Sequence, residues 1–123
     1  MHSPHDPDHS LRITEDQQPG AHVVRLAGEA DLDNVAPLRA LLEKAVPAGE
    51  PLVLDLSELR FADSTMLNVL LQTYAELGDR LRIAAPSRFV LRLFSLTGLE
   101  DVLPIHASVA EATGVAVPPV AGG

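Results

Sequence analysis

Read for its alternation of apolar and polar positions, the chain divides into short strands and amphipathic helices, and one stretch sets the frame for the rest. Leu52, Val53, Leu54 and Leu56 form the near-continuous apolar run of a buried strand. Downstream, Leu67, Leu70, Leu71, Tyr74 and Leu77 recur at i, i+3, i+4, i+7 and i+10, the stripe of one helix face. Between them stand Asp63, Ser64 and Thr65, three short oxygen-bearing side chains at a strand-to-helix junction. A helix that starts there leaves about four backbone N–H groups without intrahelical partners and a partial positive charge. Asp63 or Ser64 can cap those groups, and the same geometry accepts a phosphate. The junction reads first as a cap and second as a candidate switch.

The remainder alternates in the same manner. Residues 11–14 predict a short strand, 15–20 a polar turn ending in Pro19-Gly20, and 22–27 a second strand, together a hairpin. Residues 28–31 break the strand pattern. Asp33 or Asn34 can then cap a helix with Pro37 near its first turn, where a missing N–H costs nothing. Leu38, Leu41, Leu42 and Ala45 supply its inward face, and residues 47–51 end it. Residues 57–62 read as the link from central strand to central helix. After Gly78, residues 81–84 predict another buried strand. Ser87 caps a helix carrying Val90, Leu93, Phe94 and Thr97 on one face, and Gly98 stops it. Residues 102–105 predict a last strand, placed at an edge by Pro104, and 108–113 a brief final helix. This order predicts one α/β domain with a small mixed, mostly parallel sheet and about four α-helices. The domain is expected over residues 11–112, between a disordered tail (1–10) and a flexible one (113–123).

Composition narrows the chemistry. With 123 residues and 46 % apolar side chains the chain can bury a real core. Aromatics make up only 3 %, so that core is aliphatic. Nine basic against seventeen acidic residues give a net charge of −8, and Lys44 is the only lysine. That balance argues against nucleic acid and against an anionic membrane surface as partners. The absence of cysteine excludes disulfides and thiolate sites. No stretch has the pattern of a secretory signal or the length of a membrane span, so a cytoplasmic protein is expected. His2, His5 and His9 fall in the polar tail, without the carboxylate geometry of a metal site.

Each reactive grouping has a plain structural reading beside the chemical one. Ser64 occupies the kind of turn in which α/β hydrolases place a nucleophile. Yet G-x-S-x-G is absent, the turn has no glycine, and only His22 or His106 would be available as a base, so a hydrolase is set aside. Neither nucleotide-binding glycine motif occurs, and no cofactor is expected. Asp31 and Asp63, at the ends of elements, would share a face if the loop before the first helix lies beside the central helix. With Glu29, Asp33 and Asp55 they allow a metal or phosphotransfer pocket, against the plainer reading of caps and solubility.

The stretch LVLDLSELRFADST, followed by an apolar helix, resembles the signature of STAS domains, especially bacterial anti-sigma factor antagonists. VVRLAGEADLDNVAPLRALL resembles their second strand, GELD-like loop and first helix, and APSRFVLRLFSLTGLEDVLPI their closing helix, Gly-Leu turn and last strand. The resemblance covers residues 11–112. It implies a non-enzymatic protein that, when unphosphorylated, binds an anti-sigma factor that is often also a serine kinase, and is switched off by phosphorylation. It makes Ser64 the acceptor, Thr65 a neighbouring hydroxyl and second candidate, Asp63 the aspartate of the D-S-[ST] motif, and Asp31 the loop aspartate beside it. The family commonly continues with Gly-Leu-Gly where this chain has Met66-Leu67-Asn68, which places bulkier Met66 and Asn68 among the expected partner contacts. A free monomer is expected. The alternative reading is a STAS-type scaffold or small-ligand sensor without a working phospho-switch.

Overall fold

In the computed structural model, which describes residues 10–114, five strands lie side by side in sequence order: β1 (Leu11–Gln18), β2 (Ala21–Ala30), β3 (Leu52–Ala62), β4 (Leu81–Ala84) and β5 (Ile105–His106). β1 and β2 form an antiparallel hairpin across Pro19-Gly20, and every other neighbouring pair is parallel. The connections are α1 (Ala36–Ala48), α2 (Ser64–Leu77) and α3 (Arg88–Thr97), with α4 (Val109–Thr113) after the last strand. This is the mixed, mostly parallel α/β sheet that the alternation predicts.

Side-chain alternation along the strands separates two cores. Val24, Leu26, Leu52, Leu54, Leu56, Leu81 and Ile83 join Leu38 and Leu42 of α1, Met66, Val69 and Leu70 of α2, and Val90 and Phe94 of α3 in the main core. The intervening positions Val23, Val53 and Ala84 make a smaller cluster with Ala21 and with Ala112 of α4. Also on that second face, the guanidinium of Arg25 donates to Asp55 at 2.9 Å. Asp55 is buried at 4 % exposure.

Four elements differ from the sequence expectation, each for a local reason. β2 runs on to Ala30 through the residues read as a break, because Gly28, Glu29 and Ala30 still pair with Leu59, Phe61 and Ala62 of β3. Residues 15–18 are strand, not turn, because Glu15 to Gln18 continue the hairpin pairing as far as Ala21. Their polar side chains hide the strand from a search for buried residues. β3 runs on through Ala62 because residues 57–62 still pair with β2. Two extra residues on β3 shift the register, between Arg25 and Ala27 and again between Gly28 and Glu29, and these bulges break the period-2 pattern. Gly28 is required at the second: its φ is +101°, and a Cβ would collide with the carbonyl oxygen of Ser10. The last strand is Ile105–His106 only, since residues 99–101 form a 3-10 turn and Pro104 contributes just its carbonyl, accepting from the Ile83 N–H at 2.9 Å. The tails with their histidines, residues 1–9 and 115–123, lie outside the described residues.

Candidate functional site

The C-terminal end of β3 delivers the chain directly into α2, and Asp63 is the pivot. It adopts the extended conformation of an N-cap, and its Oδ1 accepts from the Met66 N–H at 3.1 Å. Its Oδ2 reaches outward and accepts from the Leu32 N–H at 3.1 Å, while its own N–H donates to the Ala30 carbonyl at 3.2 Å. One carboxylate thus ties the helix start to the loop that follows β2.

That loop is folded on itself by Asn34. The Asn34 side chain accepts from the Asp31 N–H at 2.9 Å and donates to the Glu29 carbonyl at 2.8 Å. Asp31 Oδ1 accepts from the Asp33 N–H at 2.9 Å, a local Asx turn. The capping expected of Asp33 or Asn34 on α1 is therefore corrected: α1 has Val35 at its N-cap and no side-chain cap, because the Asn34 amide serves the loop instead. The N–H of Leu32, the residue after Asp31, is bonded to Asp63, which ties the loop that carries Asp31 to the start of α2.

Ser64 occupies the first position of α2 and is exposed. Capping by Asp63 serves Met66, and the Leu67 N–H reaches the Asp63 carbonyl at 3.1 Å. The N–H groups of Ser64 and Thr65 have no partner among the described residues, so the hydroxyl stands at the positive end of the helix. Asn68, one turn on, shares the exposed face. Met66 does not: it is 0 % exposed and belongs to the main core. The expectation that Met66 adds or blocks a partner contact is corrected accordingly, since the third helical position points its side chain inward under the cap. Of the two residues that replace the family's glycines, only Asn68 alters the surface.

Sequence reasoning passed over an apolar border to this site. Leu32, whose amide binds Asp63, leaves its side chain 71 % exposed. Phe61, two residues before Asp63, packs against Phe89 of α3 with ring centroids 5.7 Å apart, and both rings remain 39 % exposed. Isolated exposed apolar residues carry no periodicity. The only signal was that two of the chain's three phenylalanines sit outside the apolar helix stripe.

Asp55, in contrast, does not join the acidic group at the junction. Burial acts to raise its pKa, but hydrogen bonds from Ser57 and Arg25, together with the charge of Arg25, outweigh this and hold the carboxyl below its ordinary value. The same hydrogen bond, with the Asp55 charge behind it, raises the pKa of Arg25. Neither histidine considered as a hydrolase base is hydrogen-bonded to Ser64. His22 is held by Glu15 and Gln17 at the other end of β2, and His106 lies in β5. Among the described residues, no group of three His, Cys, Asp or Glu is arranged to hold a metal. No helix among them is long and apolar enough to cross a membrane.

Comparison with known proteins agrees with this architecture. The chain is 33 % identical over 87 residues to the anti-sigma-B factor antagonist of Bacillus subtilis (strain 168), covering 68 % of this chain and 80 % of that protein. It is 30 % identical over 102 residues to the anti-sigma F factor antagonist of Paenibacillus polymyxa, covering 79 % and 87 %. The crystal structure of an anti-sigma factor antagonist from Mycobacterium paratuberculosis superposes with a TM-score of 0.76 at 28 % identity, covering 94 % of this chain and 97 % of that one. Residues 13–104 match the family described as Mlab, STAS domain. With the sheet order, the capped junction and this match together, the chain belongs to the STAS-domain family.

Proposed function

We propose that this protein is an anti-sigma factor antagonist whose unphosphorylated form binds an anti-sigma factor that is also a serine kinase, and whose binding is switched off by phosphorylation of Ser64. The observation that carries the reading is the state of Ser64: an exposed hydroxyl at the first position of α2, beside two open N–H groups and outside the bonds that hold the junction. A serine that caps is engaged, whereas here Asp63 caps and the serine is left available. The names of the relatives, both anti-sigma factor antagonists, support the antagonist part of the reading.

In this mechanism the chain catalyses nothing. The partner kinase supplies ATP and the base that takes the Ser64 hydroxyl proton; the Ser64 oxygen forms a bond to the γ-phosphorus, the β–γ bridge breaks, and ADP leaves. The phosphoserine brings about −1.5 to −2 charges. The open N–H groups and the helix dipole accommodate part of that charge within the antagonist, so the fold does not rearrange. A partner surface fitted to a neutral hydroxyl meets repulsion from the phosphate, reinforced by Asp63 and Asp31. A penalty of about 3 kcal/mol weakens binding roughly a hundredfold. Asp63 acts here as a positioning residue, Asn68 and Thr65 as neighbouring surface, and the free protein works as a cytoplasmic monomer.

The test is capture from cell extract by wild-type, Ser64→Ala and Ser64→Asp proteins, with bound proteins identified by mass spectrometry. A kinase-like anti-sigma factor held by the first two and lost with Ser64→Asp supports the switch. Identical sets on all three baits would make Ser64 a surface residue of a scaffold.

A further inference from the structure

At the end of β3 remote from Ser64, the hairpin and α1 diverge around a half-open cleft of about 550 Å³, within the range of small-molecule sites. α1 supplies one wall. Pro37, Leu41, Lys44 and Ala48 recur at i, i+4, i+7 and i+11, with Ala40 and Ala45 beside them. This stripe adjoins the one that Leu38 and Leu42 bury in the core. Leu41 is its only large apolar member, the others being alanines and a proline, so the wall is shallow and flat, and Lys44 is the one charge on it. Glu15 and Gln17 of β1 and His22 of β2 make the opposite wall, and Glu50, Pro51 and Leu52 close the end.

The hairpin wall is tied together by one chain of hydrogen bonds. The Gln17 amide N–H donates to Glu50 Oε2 at 3.0 Å, and its carbonyl oxygen meets His22 Nδ1 at 3.0 Å. His22 Nε2 meets Glu15 Oε1 at 2.8 Å. Each carboxylate keeps one oxygen, Glu15 Oε2 and Glu50 Oε1, without a partner among the described residues. The Lys44 ammonium makes no ion pair or hydrogen bond among them either. Opposite charges thus line one cleft, held apart by its open space, with flat apolar surface beside the ammonium. That arrangement specifies three parts of an occupant: a carboxylate for Lys44, an ammonium for Glu15 or Glu50, and a planar apolar body for the alanine stripe. A simple cation leaves Lys44 unanswered, and a simple anion meets both glutamates.

We propose that this cleft binds a small aromatic zwitterion of the amino-acid class, its carboxylate toward Lys44, its ammonium toward Glu15 and Glu50, and its ring along α1. The site is independent of Ser64 and of the partner that Ser64 engages.

The experiment is a ¹H–¹⁵N titration of the full chain with L-tryptophan and with two molecules of the same ring that each lack one charge, tryptamine and indole-3-propionate. The expected result is saturable shifts confined to residues 15–22 and 37–52, with Kd for tryptophan below about 1 mM and each single-charge analogue weaker by a factor of about 5 or more. Lys44→Ala, a change at an exposed helix position, removes the preference over tryptamine and keeps that over indole-3-propionate. Glu15→Gln/Glu50→Gln does the reverse, and Ser64→Ala changes neither. The proposal is overturned if tryptophan binds with Kd above about 1 mM, if either analogue comes within a factor of about 5 of it, or if the shifts map to the Ser64 junction. The three-ligand comparison on wild type decides the matter even if the double variant does not fold.

Discussion

Asp55 and Asp63 come from the same run of chain, one inside β3 and one at its end, and they do opposite things. Asp55 lies under the second face of the sheet, neutralised by Arg25 and held by the Ser57 N–H at 3.0 Å. Its bonds serve the sheet that contains it. Asp63 is half-buried, has no cation on it among the described residues, and divides its two oxygens between the backbone of α2 and that of the loop after β2. Its bonds join two elements and leave the next residue free. Charge satisfied by charge makes a fixed interior, whereas charge satisfied by backbone N–H groups makes a platform on which Ser64 stands exposed. A carboxylate's role here follows from what it accepts from, not from its residue type.

The sharpest way to separate the two is to remove each. Asp55→Ala leaves Arg25 without its partner and empties a buried polar position. A loss of about 3 kcal/mol is expected, at the low end for a broken buried pair because Arg25 keeps 47 % of its side chain in solvent. A thermal melt would show a fall of about 15 °C. Arg25→Ala, which leaves Asp55 buried without its cation but still held by Ser57, is expected to cost about as much, about 3 kcal/mol.

This pair also carries a pH signature. The folded-state pKa of Asp55 is lowered from its ordinary 3.8, so its contribution is complete above that value. It is lost as pH falls below 3.8 through the folded-state value. Denaturant midpoints measured from pH 6 down to about 2 should drop more steeply for wild type than for Asp55→Asn. Parallel curves would remove Asp55 from the account of acid stability.

Asp63→Ala is expected to cost about 1 kcal/mol of stability, the worth of an N-cap, and yet to weaken partner binding about tenfold by releasing the loop of residues 31–35 from the helix. A variant that melts as Asp55→Ala does, with binding intact among the folded molecules, would reverse the comparison. The smallest effect belongs to Asn68→Gly, which restores a family glycine on the exposed face and should lower stability by about 0.5–1 kcal/mol. Circular dichroism melts would register it, and any change in affinity would be local to that one contact.

What the sequence revealed follows from how local each cause is. The stripes of α2 and α3, a cap at Asp63 or Ser64, the cap Ser87 and the stop at Gly98 depend on neighbours within a turn, and all were legible, whereas Ser108 as the cap of α4 was not read. The continuation of β3 was not, because its two bulges erase the period-2 signal over residues 57–62. The Arg25–Asp55 pair joins residues thirty apart in the chain, and nothing local distinguishes that aspartate from Asp63. Asn34 was legible as a polar residue before a helix, but whether its amide turns to α1 or to Glu29 is settled by the loop's path. Met66 shows the same limit. Its position after D-S-T made it a surface residue by analogy with a glycine, which has no side chain to bury, whereas in the fold its thioether fills the core under the helix start.

The central claim is that a single charge change at Ser64 governs association while leaving the fold in place. The direct measurement is isothermal titration of the captured anti-sigma factor with unphosphorylated protein and with protein carrying phosphoserine at position 64, alongside thermal melts of both. The account predicts affinity at least a hundredfold weaker for the phosphoserine form with melting temperatures within about 2 °C of each other. Equal affinities, or a loss of affinity accompanied by unfolding, would contradict it.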